Sequence, residues 1–296
     1  MLLEKPIPFT FLIRRIRREA LLVFLFANVV VLTKFFFQLW YLTIPIAIPA
    51  LLGTCISLLL GFRMNQAYDR WWEARIIWGA IVNDSRSFIR QLQMFLPNQQ
   101  TLIHSFVLRQ CAWCFVLGDS LRGHEIRSRL LEFLPQAAVD RILLADNIPN
   151  ALLADHGLAI SQLFREGQIS DFQMLHLSTS LNNLTDSMGR CERIKNTPFP
   201  RTTTFNLRVF IYLFAAILPF CFEADLFYLD VPLVTLISCA FLLLEKSGIQ
   251  LQNPFENTPT DTPVTTIARN IEINLKTMTG FETIPEKIPP YDYYAL

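Results

Sequence analysis

The sequence predicts an all-α membrane protein, with four transmembrane helices and a large helical domain on the cytoplasmic side. The chain is 52% hydrophobic and contains 25 phenylalanines, which is unusual for a soluble protein of this length. Four long apolar segments occur, and no segment shows the alternation typical of a half-buried strand. The net charge is +1 with no long basic run, so we do not expect nucleic acid as a partner.

The N-terminal region combines a basic arm with the first span. Residues 1–19 mix basic and apolar side chains, which predicts an amphipathic segment on the membrane surface, with Thr10 as its cap. The apolar run from Ala20 to about Trp40 predicts an uncleaved first span, because no small-residue cleavage site follows it. Lys34 within this span is expected to extend toward the outer interface.

The second span is the longest uncharged stretch. No charged residue occurs between Ile44 and Phe62, and about 19 helical residues cover about 28 Å, close to the thickness of the hydrocarbon core. Polar residues begin at Arg63, yet neither Gly nor Pro occurs before Gly79. We therefore expect one helix that crosses the membrane and continues to about Phe95.

Two neighbouring stripes can be recognised on this helix. Small residues recur every four positions, a spacing that lets helix backbones approach closely in lipid. The second stripe is rotated by about 100° and would face a central axis if the first packs on a neighbouring helix. The alternative is that both stripes serve ordinary helix packing. The small stripe is Gly53, Ser57 and Gly61, and the second is Thr54, Leu58 and Phe62.

The remaining chain contains more helices and two further spans. Apolar runs predict spans at Asn206–Phe222 and Val231–Leu244, and an amphipathic tail helix is expected at about Val264–Met278. Basic residues concentrate in the N-terminal arm and in the region 63–201, so the positive-inside rule places both termini in the cytoplasm. The predicted segments are 1–19 (amphipathic arm), 20–62 (spans 1 and 2), 63–200 (cytoplasmic helical domain), 201–250 (spans 3 and 4) and 251–296 (tail).

Signals of catalysis and metal binding are weak. Cys111 and Cys114 form a C-x-x-C pair, but no second pair and no preceding strand accompany it, so we interpret both as apolar positions inside a helix. The four histidines lack metal-ligand spacing, and neither a phosphate-binding loop nor a nucleophile elbow is present. We expect no enzyme activity, metal or cofactor.

The stretch GFRMNQAYDRWWEAR, residues 61–75, resembles the bestrophin family of ion channels, including its bacterial members. The match continues at Trp78-Gly79-Ala80, at Cys191-Glu192-Arg193-Ile194 with Thr197-Pro198, and at Asn253-Pro254-Phe255. With the order of the spans, the resemblance covers nearly the whole chain. The motif residues are Arg63, Asn65, Asp69, Arg70, Trp71, Glu73, Asn253, Pro254 and Phe255.

The resemblance implies a homopentamer around one central pore in the inner membrane of a bacterium, in contact with lipid and passing inorganic ions. It places a hydrophobic neck at Thr54, Leu58 and Phe62, and a second constriction on the cytoplasmic side near Leu175. It also implies that the tail docks on a neighbouring subunit. Such a neck would act as a hydrophobic gate, because an apolar ring offers ions no hydrogen bonds.

Selectivity stays open at this level. The family contains chloride channels and bacterial members that pass sodium or potassium, and we lean to chloride on family grounds only. Asp69 and Glu73 would favour cations and Arg63 and Arg70 anions, unless these charges neutralise each other along the helix. A membrane scaffold or sensor is the alternative of another class, with a docking surface formed by three tryptophans. These are Trp71, Trp72 and Trp78.

Calcium regulation is not expected. The resemblance implies a dense acidic run after the N-P-F motif in animal members, where it binds calcium. Here only two carboxylates follow the motif, those of Glu256 and Asp261. Ca²⁺ prefers six to eight oxygen ligands, which two carboxylates are too few to supply.

Overall fold

The computed structural model of the chain describes residues 8–39, 41–222, 227–291 and 294–295. Within these ranges the secondary structure is helical, and one isolated β-bridge joins Tyr291 to Tyr294. The chain divides into two compact units. The span unit comprises the described parts of 5–70 and 198–253, and the helical unit comprises the described parts of 71–197 and 254–296.

The span unit contains the predicted membrane segments. Helices α1 and α9 pack along each other, and α8 contacts both. Their shared core is apolar and includes Val23, Ile56, Ile211 and Phe214. The elements are α1 (Phe9–Phe36), the first part of α2 (Ala47–Phe95), α8 (Arg201–Ile217), a 3-10 turn (Leu218–Phe220) and α9 (Phe227–Leu251).

The helical unit is built around α3, which contacts α6, α7 and α10. The Ser170 side chain and the Gln173 side chain cap the start of α7 reciprocally. Gly123 ends α3 with a φ of 70°, a conformation that costs glycine least. Besides the rest of α2, the elements are α3 (Gln100–Arg122), α4 (Arg127–Leu131), α5 (Gln136–Ile142), α6 (Ile148–Arg165), α7 (Asp171–Asn196) and α10 (Val264–Met278).

The N-terminal arm differs from expectation. Helix α1 runs without a break from Phe9 to Phe36, so the predicted amphipathic segment shares one helix with the first span, and its position on the membrane surface stays a prediction. Thr10 lies inside α1, and no side chain caps the helix start. No Gly or Pro occurs between these bounds, so nothing in the sequence ends the helix before the span. The predicted end of the span at Trp40 and residues 1–7 lie outside the described residues.

Four helices in the described chain are long and apolar enough to cross a membrane: Ile13–Phe36, Ala47–Phe95, Gln100–Arg122 and Thr202–Phe220. Two thirds of the most apolar window of Gln100–Arg122 is buried inside the protein, which is typical of a core helix. The predicted fourth span falls instead on α9, which is not among these four but packs on α1 and α8. Its assignment as a span therefore stays a prediction.

The tail helix packs within its own chain. Val264, Ile267, Ile271 and Leu275 are buried on one face of α10, which contacts α3. The predicted apolar face is confirmed at Ile267, Ile271 and Leu275, which are covered inside the subunit, and it is wrong at Met278, which is 37% exposed. Docking of the tail on a neighbouring subunit stays a prediction for the residues after α10.

Candidate ion pathway

The second stripe of α2 lies on the surface of the chain. Leu58 and Phe62 are each 60% exposed, and Thr54 is exposed as well. The Thr54 hydroxyl donates a hydrogen bond to the Ala50 carbonyl at 2.9 Å, so it is engaged within its own helix. The stripe carries no charged side chain, and the described part of its own chain leaves it uncovered.

The opposite face of α2 holds the helix in the span unit. Ile56 and Leu60 are buried there. The small stripe packs only at Gly53, where a Cβ atom would lie 3.3 Å from the Phe214 ring of α8. Ser57 is exposed, and a Cβ at Gly61 would meet no atom within 4 Å. Within the described chain, the expected packing of the small stripe is therefore seen at Gly53, and it stays a prediction at Ser57 and Gly61.

Arg63 ends the uncharged run but does not face the stripe. It is 3% exposed, and its Nη1 lies 3.6 Å from Glu245 Oε1 on α9. Its Nη2 donates to Thr204 Oγ1 at 2.9 Å and to Gln252 Oε1 at 3.4 Å. Arg63 therefore joins α2 to both α8 and α9, and it is not available to attract anions from the stripe.

Glu73, a second charge after the span, is also paired across the fold rather than along α2. In the helical unit, Glu73 Oε1 accepts a hydrogen bond from Arg193 at 2.8 Å. In the span unit, Asp69 is exposed on the continuation of the stripe, with Asn65 one turn before it. The expected neutralisation between residues of one helix is therefore wrong for Arg63 and Glu73, whose partners come from other helices.

The rest of the motif fixes a loop in the helical unit. Trp71 Nε1 donates to the Thr260 carbonyl at 2.9 Å, and Lys195 Nζ donates to the Phe255 carbonyl at 3.3 Å. Pro254 and Phe255 are buried. Asp261 in this loop accepts from the Glu256 N–H at 2.6 Å and the Thr258 hydroxyl at 2.5 Å. Burial raises the pKa of Asp261, while these hydrogen bonds oppose that shift.

Leu175 projects from an exposed face of α7. Its side chain is 63% exposed, and that of Phe172, one turn earlier, is 79% exposed. Two large apolar side chains therefore lie on the surface at the start of α7, and either fits an apolar constriction. Asn253, the first residue of the N-P-F motif, is half-buried in the span unit.

The three tryptophans do not form one surface. Trp78 is fully buried in the core of the helical unit, whereas Trp72 is 47% exposed and stacks on Trp71. The scaffold hypothesis predicted Trp78 on a docking surface. That prediction is wrong, because the 3.6-residue period of α2 turns Trp78 inward.

The burial of two charged residues of the span unit was not predicted from the sequence. Lys34 is 1% exposed rather than extended to the interface, and it donates to the Pro219 carbonyl at 3.0 Å and lies 4.0 Å from Asp230. Glu245 is 1% exposed and accepts from Arg208 Nε at 2.9 Å. A carboxylate directly at the end of an apolar span is a signal that could have identified Glu245 as structurally important.

Comparison with known proteins identifies the family. The sequence model of the family described as Bacterial/Fungal Bestrophin protein matches residues 9–277. The chain belongs to this family. The family predicted from the motif is therefore confirmed.

Curated relatives of this bestrophin carry channel names. The Voltage-dependent anion channel-forming protein YneE of Escherichia coli strain K12 is 33% identical over 95% of this chain and 92% of its own length. The protein alr2987 of Nostoc, with the same descriptive name, is 30% identical over 82% of this chain and 81% of its own. Bestrophins are channels, and the expectation that this chain is not an enzyme is confirmed.

Solved structures confirm the fold class of this bestrophin. A crystal structure of a bacterial bestrophin homologue from Klebsiella pneumoniae has a TM-score of 0.84 and 30% sequence identity. It covers 90% of this chain and all of its own. The prediction of a helical membrane protein is therefore confirmed in its fold.

Proposed function

We propose that this bestrophin forms a homopentameric channel in the inner membrane of a bacterium and conducts small monovalent ions, with a preference for anions. The observation that carries the proposal is the uncharged, exposed stripe of Thr54, Leu58 and Phe62 on a helix whose opposite face is buried. The names of the relatives, which are anion channel-forming proteins, support the anion preference. Both termini lie in the cytoplasm in this proposal.

The stripe acts as a hydrophobic gate. In the pentamer, five copies of Leu58 and five of Phe62 form successive rings that offer a permeating ion no hydrogen bonds. A narrow apolar ring expels water and stops conduction, and a wider ring holds water and conducts. Leu175, together with the neighbouring Phe172, forms a second apolar constriction on the cytoplasmic side.

The gate is tested by removing the bulk of its rings. Leu58→Ala and Phe62→Ala should each raise the open probability or the single-channel conductance in planar bilayers, because a wider ring wets more readily. Leu59→Ala is the matched control, since this leucine is also exposed but is rotated by about 100° away from Leu58. If both stripe variants behave like the wild type, the neck assignment is wrong.

A cation channel of the same architecture is the second candidate, and Asp69 favours it. In the pentamer, this exposed carboxylate forms a ring of five negative charges beyond Phe62, and such a ring attracts cations. Arg63 cannot offset the ring, because Glu245 and the neighbouring polar groups engage it.

Reversal potentials in asymmetric NaCl distinguish the two candidates. We expect a value nearer the chloride than the sodium equilibrium potential, and we expect Asp69→Asn to move it further toward chloride. Glu73→Gln, which removes a carboxylate already paired with Arg193, should move it less. A wild-type value near the sodium potential would reverse the proposed preference. A detergent-solubilised particle with the mass of one 34.2 kDa chain would instead favour a scaffold.

A further inference from the structure

A cavity lined by both polar and apolar residues lies in the span unit where α8 begins and α9 ends. It has a volume of about 350 Å³. One side is formed by Thr204, Phe205 and Arg208 of α8, and the other includes Gln252 and Asn253 after α9. The buried Arg63 of α2 donates hydrogen bonds to Thr204 and Gln252. Both of these residues line the cavity.

Positive charge exceeds negative charge beneath this cavity. Arg63 and Arg208 share a single carboxylate, that of Glu245. Neither Nε nor Nη1 of the buried Arg63 has a hydrogen-bond partner among the described residues. The nearby Lys246 and Glu19 pair with each other and leave the excess unchanged. Buried guanidinium groups without full compensation are costly, so an additional anion would stabilise this cluster.

An apolar groove of about 360 Å³ lies further along α8. It is lined by Leu22, Val23 and Phe26 of α1 and by residues of α8 on the same face as Arg208. That face places Tyr212 one turn beyond Arg208, and Ala215 and Ala216 one turn further. Arg208 and Ala216 are about 12 Å apart along the helix axis. Arg208 of the cavity and Tyr212 of the groove therefore lie one turn apart on the same face of α8.

We propose that this pocket and groove bind one anionic phospholipid per subunit. The phosphate lies against Arg208 at the cavity, because guanidinium groups pair with phosphate oxygens through two parallel hydrogen bonds. One acyl chain lies in the groove between α1 and α8. Among membrane components, a phospholipid presents a phosphate and a chain in this order. The proposal depends on the membrane placement of the span unit and not on ion conduction.

The test measures lipid retention and thermal stability of the purified full-length protein. Native mass spectrometry counts phosphatidylglycerol and phosphatidylcholine retained after purification from mixed vesicles. Thermal unfolding is followed in detergent with short-chain phosphatidylglycerol, short-chain phosphatidylcholine or inorganic phosphate. We expect the wild type to retain phosphatidylglycerol in preference to phosphatidylcholine, and only phosphatidylglycerol to raise Tm by several degrees.

Three variants locate the site. Arg208→Gln removes the exposed cation of the pocket, and Ala216→Trp fills the groove without touching a charge. Each should weaken the response to phosphatidylglycerol at least tenfold in apparent affinity. Arg18→Gln is the control. Arg18 is an exposed arginine of α1 that lines neither the pocket nor the groove, so its replacement should leave the response unchanged. Ala216→Trp keeps the test decisive if Arg208→Gln unfolds.

Three results would overturn the proposal. They are equal retention of the two lipids by the wild type, an unchanged response in Ala216→Trp, and a Tm increase with inorganic phosphate equal to that with phosphatidylglycerol. The last result would indicate a free-anion site instead. None of these measurements uses ion currents, so their outcome is independent of the proposed channel function.

Discussion

The two units of the chain distribute polarity in opposite ways. In the span unit, large apolar side chains such as Leu22, Leu51 and Phe205 are more than 60% exposed, whereas Lys34 and Glu245 are almost fully buried. In the helical unit, a large apolar core surrounds Trp78, Phe106 and Trp113, and most ion pairs lie nearer the surface. The difference indicates two solvents, because apolar surface is stable in lipid and costly in water.

The two units also surround three of their buried ionisable groups in different ways. Glu245 in the span unit is compensated by arginines from two other helices. His156 in the helical unit instead lies between aromatic rings, with its centroid 5.1 Å from that of Phe88 and 5.4 Å from that of Phe106. Asp261 is satisfied by groups of its own loop. Two substitutions and one calcium measurement test this contrast.

The largest effect is expected for Glu245→Gln. It removes the only carboxylate that compensates Arg63 and Arg208 within 4.0 Å among the described residues, and breaking a buried ion pair costs about 3–5 kcal/mol. Chemical denaturation in detergent should show this loss or a failure to fold. The control Asp140→Asn breaks an exposed pair with Arg127 and should cost less than about 1 kcal/mol. Equal losses in the two variants would contradict the contrast.

An intermediate effect is expected at His156. Burial, with the positive charge of Arg109 adding to it, lowers the pKa of His156 well below its ordinary 6.5. The unfolded chain therefore binds more protons below pH 6.5. The contribution of neutral His156 to the free energy of unfolding is therefore complete above pH 6.5. It decreases as the pH falls below 6.5, by up to about 1.4 kcal/mol per pH unit.

His156→Phe should flatten this pH dependence, because a phenyl ring binds no proton. The fold should tolerate the change, since neither ring nitrogen of His156 has a hydrogen-bond partner to lose among the described residues. Unfolding followed between pH 7.5 and pH 5 gives the comparison. His124→Gln, at a histidine that is 42% exposed, should retain the wild-type dependence. A variant at position 156 that keeps the full slope would assign the pH dependence to another group.

The smallest effect is expected for calcium. Both oxygens of Asp261 accept hydrogen bonds, and Glu256 pairs with Lys195 at 3.0 Å. These carboxylates are therefore engaged, whereas Ca²⁺ requires six to eight oxygen ligands. Currents recorded in bilayers should not change between calcium-free and micromolar calcium solutions. A steep increase with calcium would show that the loop rearranges to bind it.

Local sequence patterns were sufficient for the course of α2 and for the start of α7. The uncharged run from Ile44 to Phe62 and the absence of Gly and Pro up to Gly79 predicted a helix to about Phe95, and α2 ends there. The start of α7 could also be predicted, since Ser170 and Gln173 form a capping box three residues apart. Such features depend on neighbours within one or two turns, which the sequence shows directly.

The partners of the charges could not be predicted in this way. Spacing along α2 suggested that its charges neutralise one another, yet Arg63 pairs with Glu245 and Glu73 pairs with Arg193. Likewise, Lys34 was expected at the interface, and the structure buries it near Asp230. These partners come from helices distant in the sequence, so packing of the helices determines which groups meet.

The sequence by itself thus determined the helical class, the apolar spans and the bestrophin motif, because composition and periodicity are local properties. Tertiary structure decided which faces of those helices remain open. The stripe of Thr54, Leu58 and Phe62 is exposed because α2 packs through the face of Ile56 and Leu60. The cavity at Arg208 lies where the start of α8 meets the end of α9, and the packing of α2, α8 and α9 brings Arg63 and Arg208 to the one carboxylate of Glu245.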